Sequence, residues 1–537
     1  MTDFTDAPSA GDRVGDAERD PFDALRRAID DHDWAAATAA VRADWFALAA
    51  NDSEITRGLL ERVPSAALRA QPLLAMELGI AYNKLRFHRL RALRYFLTAV
   101  RSARSTKNSS LNPVDRVLIR TSESAAFRLL GRTSSSVAAA RAALGHVEAL
   151  SDEERASISD LPRIYAVIGV SLFYGGEPEE ALEAAARGLA EASAVPPSNG
   201  MGALALLAGV LTLRGDLPHA REHLAYGRTG PWTDQQRNGY SGTFYRVAES
   251  LVALERFDAD TARAELGSLL AMSAGRHANE HWTTLAQVLA LTELVDGDPG
   301  AGLAALDEFV AFRGGEGRST RARGDLARTR STLQLALGNA DAAAAIARRD
   351  IPPGAGAHIA RARVALALGR TGGALDELRP IAGDQLSARD AAEAAAIETA
   401  VLVRISPTPR RDGAVERLGS LLQRSELRLP LALLPPADLA RVVVALEAAG
   451  YAQVTADLPE RPLLRDIEPD LLLSTRERAV LEQLMETGSI SEIASALVVS
   501  SNTVKTQLRS IYRKLGVSSR DDAIAVALER HLLVERD

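Results

Sequence analysis

At 537 residues the chain is too long for one hydrophobic core, so several domains or a repeat array are expected. Alanine and leucine dominate while aromatics make up only 4%, a composition that favours helices over strands. The absence of cysteine excludes disulfides, thiolate metal sites and cysteine nucleophiles, and a net charge of −7 gives the chain as a whole no attraction to nucleic acid.

In chain order, residues 1–20 (MTDFTDAPSAGDRVGDAERD) are acidic and polar with no apolar centre. They are expected to form a disordered tail and fit neither a signal peptide nor a lipidation site. The longest apolar run, MGALALLAGVLTL at 201–213, falls short of the roughly 20 residues of a membrane-spanning helix. A soluble, cytoplasmic protein with no membrane partner is therefore expected.

Residues 21–452 repeat one unit: an apolar helix, a short turn, then a second helix with small residues facing the first. The turns fall at Gly176, Gly215, Arg256, Gly297 and Gly338, separated by 39, 41, 41 and 41 residues. Gly131 and Arg86 extend the register upstream in steps of 45, and Gly369 follows downstream after 31. No such pair can bury its apolar face alone, so neighbours must stack into a continuous core. The pattern resembles tetratricopeptide-like repeats, with a period longer than their usual ~34 residues. Periodicity leaves the binding surface of the array open, and a protein or small-molecule effector is the expected partner there.

Two short stretches within the array carry candidate chemistry. HANEH (277–281) matches an HxxEH zinc signature, but no third ligand is indicated, and a polar surface is the expected reading. FRGGEGRSTRARGD (312–325) brings Arg313, Arg318, Arg321 and Arg323 together and is expected to be a solvated connection. Neither supports catalysis, so no enzymatic activity, metal or cofactor is expected. Residues 427–450 close the array with a proline break and one further helix, and 453–470, interrupted by Pro459, Pro462 and Pro469, form a linker.

From Leu471 the pattern changes to four short helices over 474–486, 491–499, 500–515 and 519–533, with Ser474 or Thr475, Ser491, Ser500 and Ser519 as N-caps. On the third, Val504, Leu508, Ile511 and Leu515 form one apolar face at steps of 4, 3 and 4. The opposite face carries Asn502, Lys505, Thr506, Arg509 and Arg513, and no Asp or Glu occurs from Ile493 to Arg520. Only four lysines occur in the whole chain, and two of them, Lys505 and Lys514, lie on this helix. Two short helices, the second presenting cations and amides outward, make a helix-turn-helix, whose second helix enters the major groove.

LSTRERAVL (473–481), EIASAL (492–497), SSNTVKTQL (500–508) and KLGVSSRDDAIA (514–525) resemble the LuxR-type helix-turn-helix in order and nearly in spacing. Two positions depart from it: the step from Gly488 to Glu492 is one residue short, and Gln507 replaces a histidine. The fold class that results is all-α, a tetratricopeptide-like helical solenoid followed by a four-helix LuxR-type domain at 471–537. The resemblance implies sequence-specific binding of double-stranded promoter DNA, commonly as a homodimer joined through the fourth helix at Ala523, Ile524, Ala527 and Leu528. It assigns base edges to Lys505, Thr506 and Arg509 and phosphate to Thr503, while the outward face adds Asn502 and sets Arg513 and Lys514 toward phosphate. Larger LuxR-type regulators also join a repeat region to this module, but they carry a P-loop. Here no lysine follows a glycine, so that element is absent. A transcription regulator controlled by its array is the first reading; a protein-interaction scaffold with an accessory DNA tether is the alternative.

Overall fold

The computed structural model describes residues 20–529 except 51–52, 85–88, 105–110, 159, 197, 273–279, 405–407, 468–472, 488, 516 and 518. Residues 1–19 of the predicted tail and the turn at Arg86 lie outside these residues, while Asp20 caps the first helix. Every regular element among them is helical, and no helix is long and apolar enough to cross a membrane. The chain divides into two compact units, residues 1–192 and 193–537.

The first unit begins with the helices Pro21–Asp30 and Trp34–Ala43 and ends in two antiparallel pairs, Pro113–Leu129 with Thr133–Glu148 and Leu161–Tyr174 with Pro178–Ala190. Leu25, Leu73, Ile119 and Ile164 are among the fully enclosed side chains of its core.

The second unit stacks six pairs, from Met201–Arg214 with Leu217–Thr229 to Ala388–Leu402 with Pro409–Ser425. The predicted turn register holds: Gly131, Gly176, Gly215, Gly297, Gly338 and Gly369 all adopt positive φ. In each case the residue after the glycine donates its backbone N–H to a carbonyl five residues back, as Asp216 does to Leu211 at 2.9 Å. At the one described turn of this register without glycine, the left-handed residue is Phe257, one position beyond the expected Arg256, with φ 57° and the same closure from Asp258 to Ala253. Gly215 is constrained twice, because a Cβ there would also sit 2.7 Å from the backbone nitrogen of Arg389.

That approach marks where the second unit curves back on itself. The Arg389 guanidinium donates to the carbonyls of Leu213 and Thr212 at 3.2 and 3.1 Å and to the buried Glu255 carboxylate at 2.7 Å. Glu255 also accepts from the backbone N–H groups of Arg428 and Leu429 at 2.6 and 2.9 Å. The short helix Leu429–Ala432 is thereby held among the first helices of the pairs, sharing a core with Leu251, Leu294 and Leu333. Leu463 and Leu464 join the same core, so the prolines of 453–467 end helices without setting the chain loose from the array.

A buried ion cluster adds a second internal tie. Arg328 donates to Asp390 and Glu393 at 2.7 Å each, and Arg363 also reaches Glu393, joining three successive repeats. The pull of burial on Glu393 is outweighed by the two arginines, which bring its carboxyl down to about 2.

Of the arginine-rich stretch 312–325, Phe312 and Arg313 end the helix Pro299–Arg313 and only 314–319 is a loop; Ser319 caps the helix Thr320–Ala336, which contains Arg321 and Arg323. Of HANEH, residues 277–279 lie outside the described residues. His281 is buried against the rings of Phe244 and Tyr240, with centroids 4.8 and 5.5 Å away.

Candidate nucleic-acid interface

The C-terminal module is four helices, Thr475–Glu486, Ile490–Ala496, Ser501–Leu515 and Arg520–Glu529. Ser474 opens the first with a capping box: its hydroxyl accepts from the Glu477 N–H while the Glu477 carboxylate accepts from the Ser474 N–H. Ser489, two residues before the expected Ser491, caps the second. Ser500 and Ser519 accept from the N–H groups of Thr503 and Asp522, both at 3.1 Å, and so cap the third and fourth.

Val504, Leu508, Ile511 and Leu515 are buried in one cluster with Leu481, Leu484 and Ile493, as their spacing predicts. Each such side chain contributes about 1.5–3 kcal/mol on burial, and this cluster fixes which face of the third helix turns outward. Asn502, Thr503, Lys505, Thr506 and Arg509 are exposed on that face, and Gln507 is half-buried at its edge. The Thr506 hydroxyl donates to the Asn502 carbonyl at 2.9 Å, which orients its oxygen outward as an acceptor. Lys505 and Arg509 have no ion-pair partner among the described residues. The Arg513 side chain lies outside them.

Three other cations of the module, Lys514, Arg478 and Arg520, are held by internal partners, while Arg476 is exposed on the first helix. Lys514, expected to face phosphate, turns inward and donates to the buried Glu477 carboxylate at 2.7 Å. Burial pushes Glu477 up, yet hydrogen bonds from Lys514, Ser510 and Ser474 outweigh it and bring the carboxyl down to about 2. Arg520 donates twice to the Leu484 carbonyl, at 3.2 and 2.9 Å, closing the end of the first helix. Arg478, which the sequence did not single out, donates to Asp341 of the array at 2.6 Å.

The residues expected at a dimer surface divide in two. Ala523 and Ala527 are fully enclosed in the module's own core, because their small side chains let the fourth helix close against the third. Ile524 is half-buried and Leu528 remains 41% exposed.

Residues 471–527 match the family described as bacterial regulatory proteins, luxR family. The C-terminal module is a LuxR-type helix-turn-helix domain. Over 62 residues the chain is 47% identical to the probable transcriptional regulatory protein NarL of Mycobacterium tuberculosis, an alignment covering 12% of this chain and 29% of that protein. Over 75 residues it is 37% identical to the HTH-type transcriptional regulator MalT of Klebsiella pneumoniae, covering 14% of this chain and 8% of that protein. The chain thus spans under a third of the length of either relative. Among solved structures, a tetratricopeptide repeat protein from Parabacteroides merdae aligns with 58% of this chain and 98% of its own, with a TM-score of 0.29 and 13% identity.

Proposed function

We propose that the protein is a DNA-binding transcription regulator whose helix Ser501–Leu515 enters the major groove of promoter DNA. The single observation that carries this reading is the division of labour among the cations of the third helix and its neighbours. Lys514, Arg478 and Arg520 are held by internal partners, while Lys505 and Arg509 stand exposed and unpaired among the described residues, beside Asn502, Thr503 and Thr506. Lys505 and Arg509 take guanine O6 and N7, Thr506 takes a neighbouring base edge, and Asn502, Thr503 and Arg513 meet phosphate. Two modules on one duplex gain affinity through effective concentration, so the working form on DNA is a homodimer with Leu528 and Ile524 at its contact.

The array regulates this module. Support comes from the two ties already described: the chain entering the module is packed among the repeats at Leu463 and Leu464, and the module's first helix is joined to the array by Arg478 and Asp341. A protein or small-molecule effector that favours a different arrangement of the array shifts how freely the module pairs on DNA. The protein acts in the cytoplasm and performs no catalysis. The test is recovery of genomic fragments by the full-length protein: Lys505→Ala with Arg509→Ala abolishes the enrichment of specific sites, and an unchanged set of fragments would refute the reading.

A further inference from the structure

The strongest charge segregation in the chain lies outside the LuxR-type module. Residues 78–147 hold thirteen Lys and Arg against two acids, Asp115 and Glu123, a local charge of +11 inside a chain of −7. The two lysines outside the module, Lys84 and Lys107, both fall in this stretch. Neither acid reaches solvent to offset the excess. The Asp115 side chain is 4% exposed and takes Arg42, with guanidinium contacts of 2.5 and 3.1 Å. The Glu123 side chain is 3% exposed and holds both Arg104 and Arg120.

The helix Arg89–Arg104 contains no acid, and Arg91, Arg94, Arg101 and Arg104 are exposed along it. Arg94 and Arg101 lie two turns apart on one face, about 10 Å along the axis, and have no ion-pair partner among the described residues. Arg91 is steadied over the Tyr82 ring, 5.9 Å from its centroid. Guanidinium groups left unpaired on a helix without acids cost the folded chain self-repulsion, which an anionic partner removes.

We propose that this face of the first unit is a second DNA-contacting surface that binds the phosphate backbone of duplex DNA independently of sequence. The inference rests on the reading of the protein as a DNA-binding regulator and extends it to a second site. A uniform polyanion suits a helix with no acid on which Arg91, Arg94 and Arg101 are exposed together, and the arginine fork matches phosphate oxygens in two-point contacts. The helix Arg89–Arg104 carries no amide side chain for base edges, so it adds affinity without selectivity. Leu93 and Leu97, exposed by 46% and 43% on the same helix, are the feature an acidic protein partner would cover instead.

The experiment uses the full chain and a labelled random-sequence duplex, with anisotropy read at several potassium chloride concentrations. Arg94→Glu with Arg101→Glu weakens binding about ten-fold or more and flattens the log–log salt dependence by about two, whereas Arg94→Lys with Arg101→Lys keeps most of the slope. Lys505→Ala with Arg509→Ala, measured in parallel, removes the preference for selected genomic fragments and retains most binding to the random duplex. If the charge-reversed pair binds random duplex with unchanged affinity and slope, the proposal is overturned and the face falls to an acidic protein partner. If Lys505→Ala with Arg509→Ala leaves selectivity intact, it is the module reading that fails, whatever the arginine pair does.

Discussion

The Lys514 ammonium meets the Glu477 carboxylate at 2.7 Å, so the last turn of the third module helix is tied to the first turn of the first. The same carboxylate completes the capping box with Ser474, and one side chain thus sets both the start of one helix and the tilt of another. Glu477→Ala removes both roles and is expected to cost about 2–4 kcal/mol, lowering the melting temperature of the module without a change in the exposed DNA face. Glu477→Gln, which keeps a cap acceptor, should cost less; an equal loss from both would mean that the charge carries the whole effect.

The same group sets an acid limit. Its folded value, about 2, lies below the ordinary 4.5, so its contribution is complete above about pH 4.5 and is lost as pH falls toward 2. The expected contribution is about 2–3 kcal/mol. Chemical denaturation of the wild type between pH 6 and pH 2.5 should lose more stability than that of Glu477→Gln, and parallel curves would count against the assignment.

On the outward face, Lys505→Ala and Arg509→Ala should each weaken binding to a selected promoter fragment by about 1–3 kcal/mol. Neither side chain packs against the core, so thermal melting is expected to stay within about 0.5 kcal/mol of wild type. A fall in stability that matches the fall in affinity would show that the variants act by unfolding the module.

Arg478 and Asp341 lie 137 residues apart in sequence and join the module to the array at 2.6 Å. Asp341→Arg breaks this tie and should speed proteolytic cleavage between the array and the module by a few-fold, in keeping with about 1 kcal/mol for a partly exposed pair. Combining it with Arg478→Asp restores the pair with reversed sense and should return cleavage toward the wild-type rate. Cleavage that stays fast in the double variant would argue against a direct tie.

Glu255 is buried and answers three donors, the Arg389 guanidinium and the N–H groups of Arg428 and Leu429. Glu255→Ala leaves all three without their acceptor, and a loss of about 3–5 kcal/mol is expected, read as a lower melting temperature of the second unit. Deuterium uptake at residues 427–434 should rise most, since that segment is anchored by the lost carboxylate.

Much of this architecture was legible in the chain as written. The spacing of Gly131 through Gly369 marked the repeat turns, because a left-handed cap is a local requirement that glycine meets most cheaply. The steps from Val504 to Leu515 assigned the buried and outward faces of the third module helix, because helical geometry alone decides which positions share a side. Where a local requirement was met by an unexpected residue, as at Phe257, the reading slipped by one position.

What escaped were relationships that depend on which distant surfaces meet. Lys514 and Arg509 look alike as cations on one helix, and only the arrival of Glu477 from another helix makes the first internal and leaves the second exposed. Ala523 and Ala527 read equally well as a dimer face or a core face until the fourth helix is docked. The return of Arg389 to Thr212, the packing of Leu463 and Leu464 into the array and the Arg478 tie to Asp341 leave no periodic trace. Local backbone geometry is encoded by neighbours in sequence, and these contacts are set by how whole helices stack.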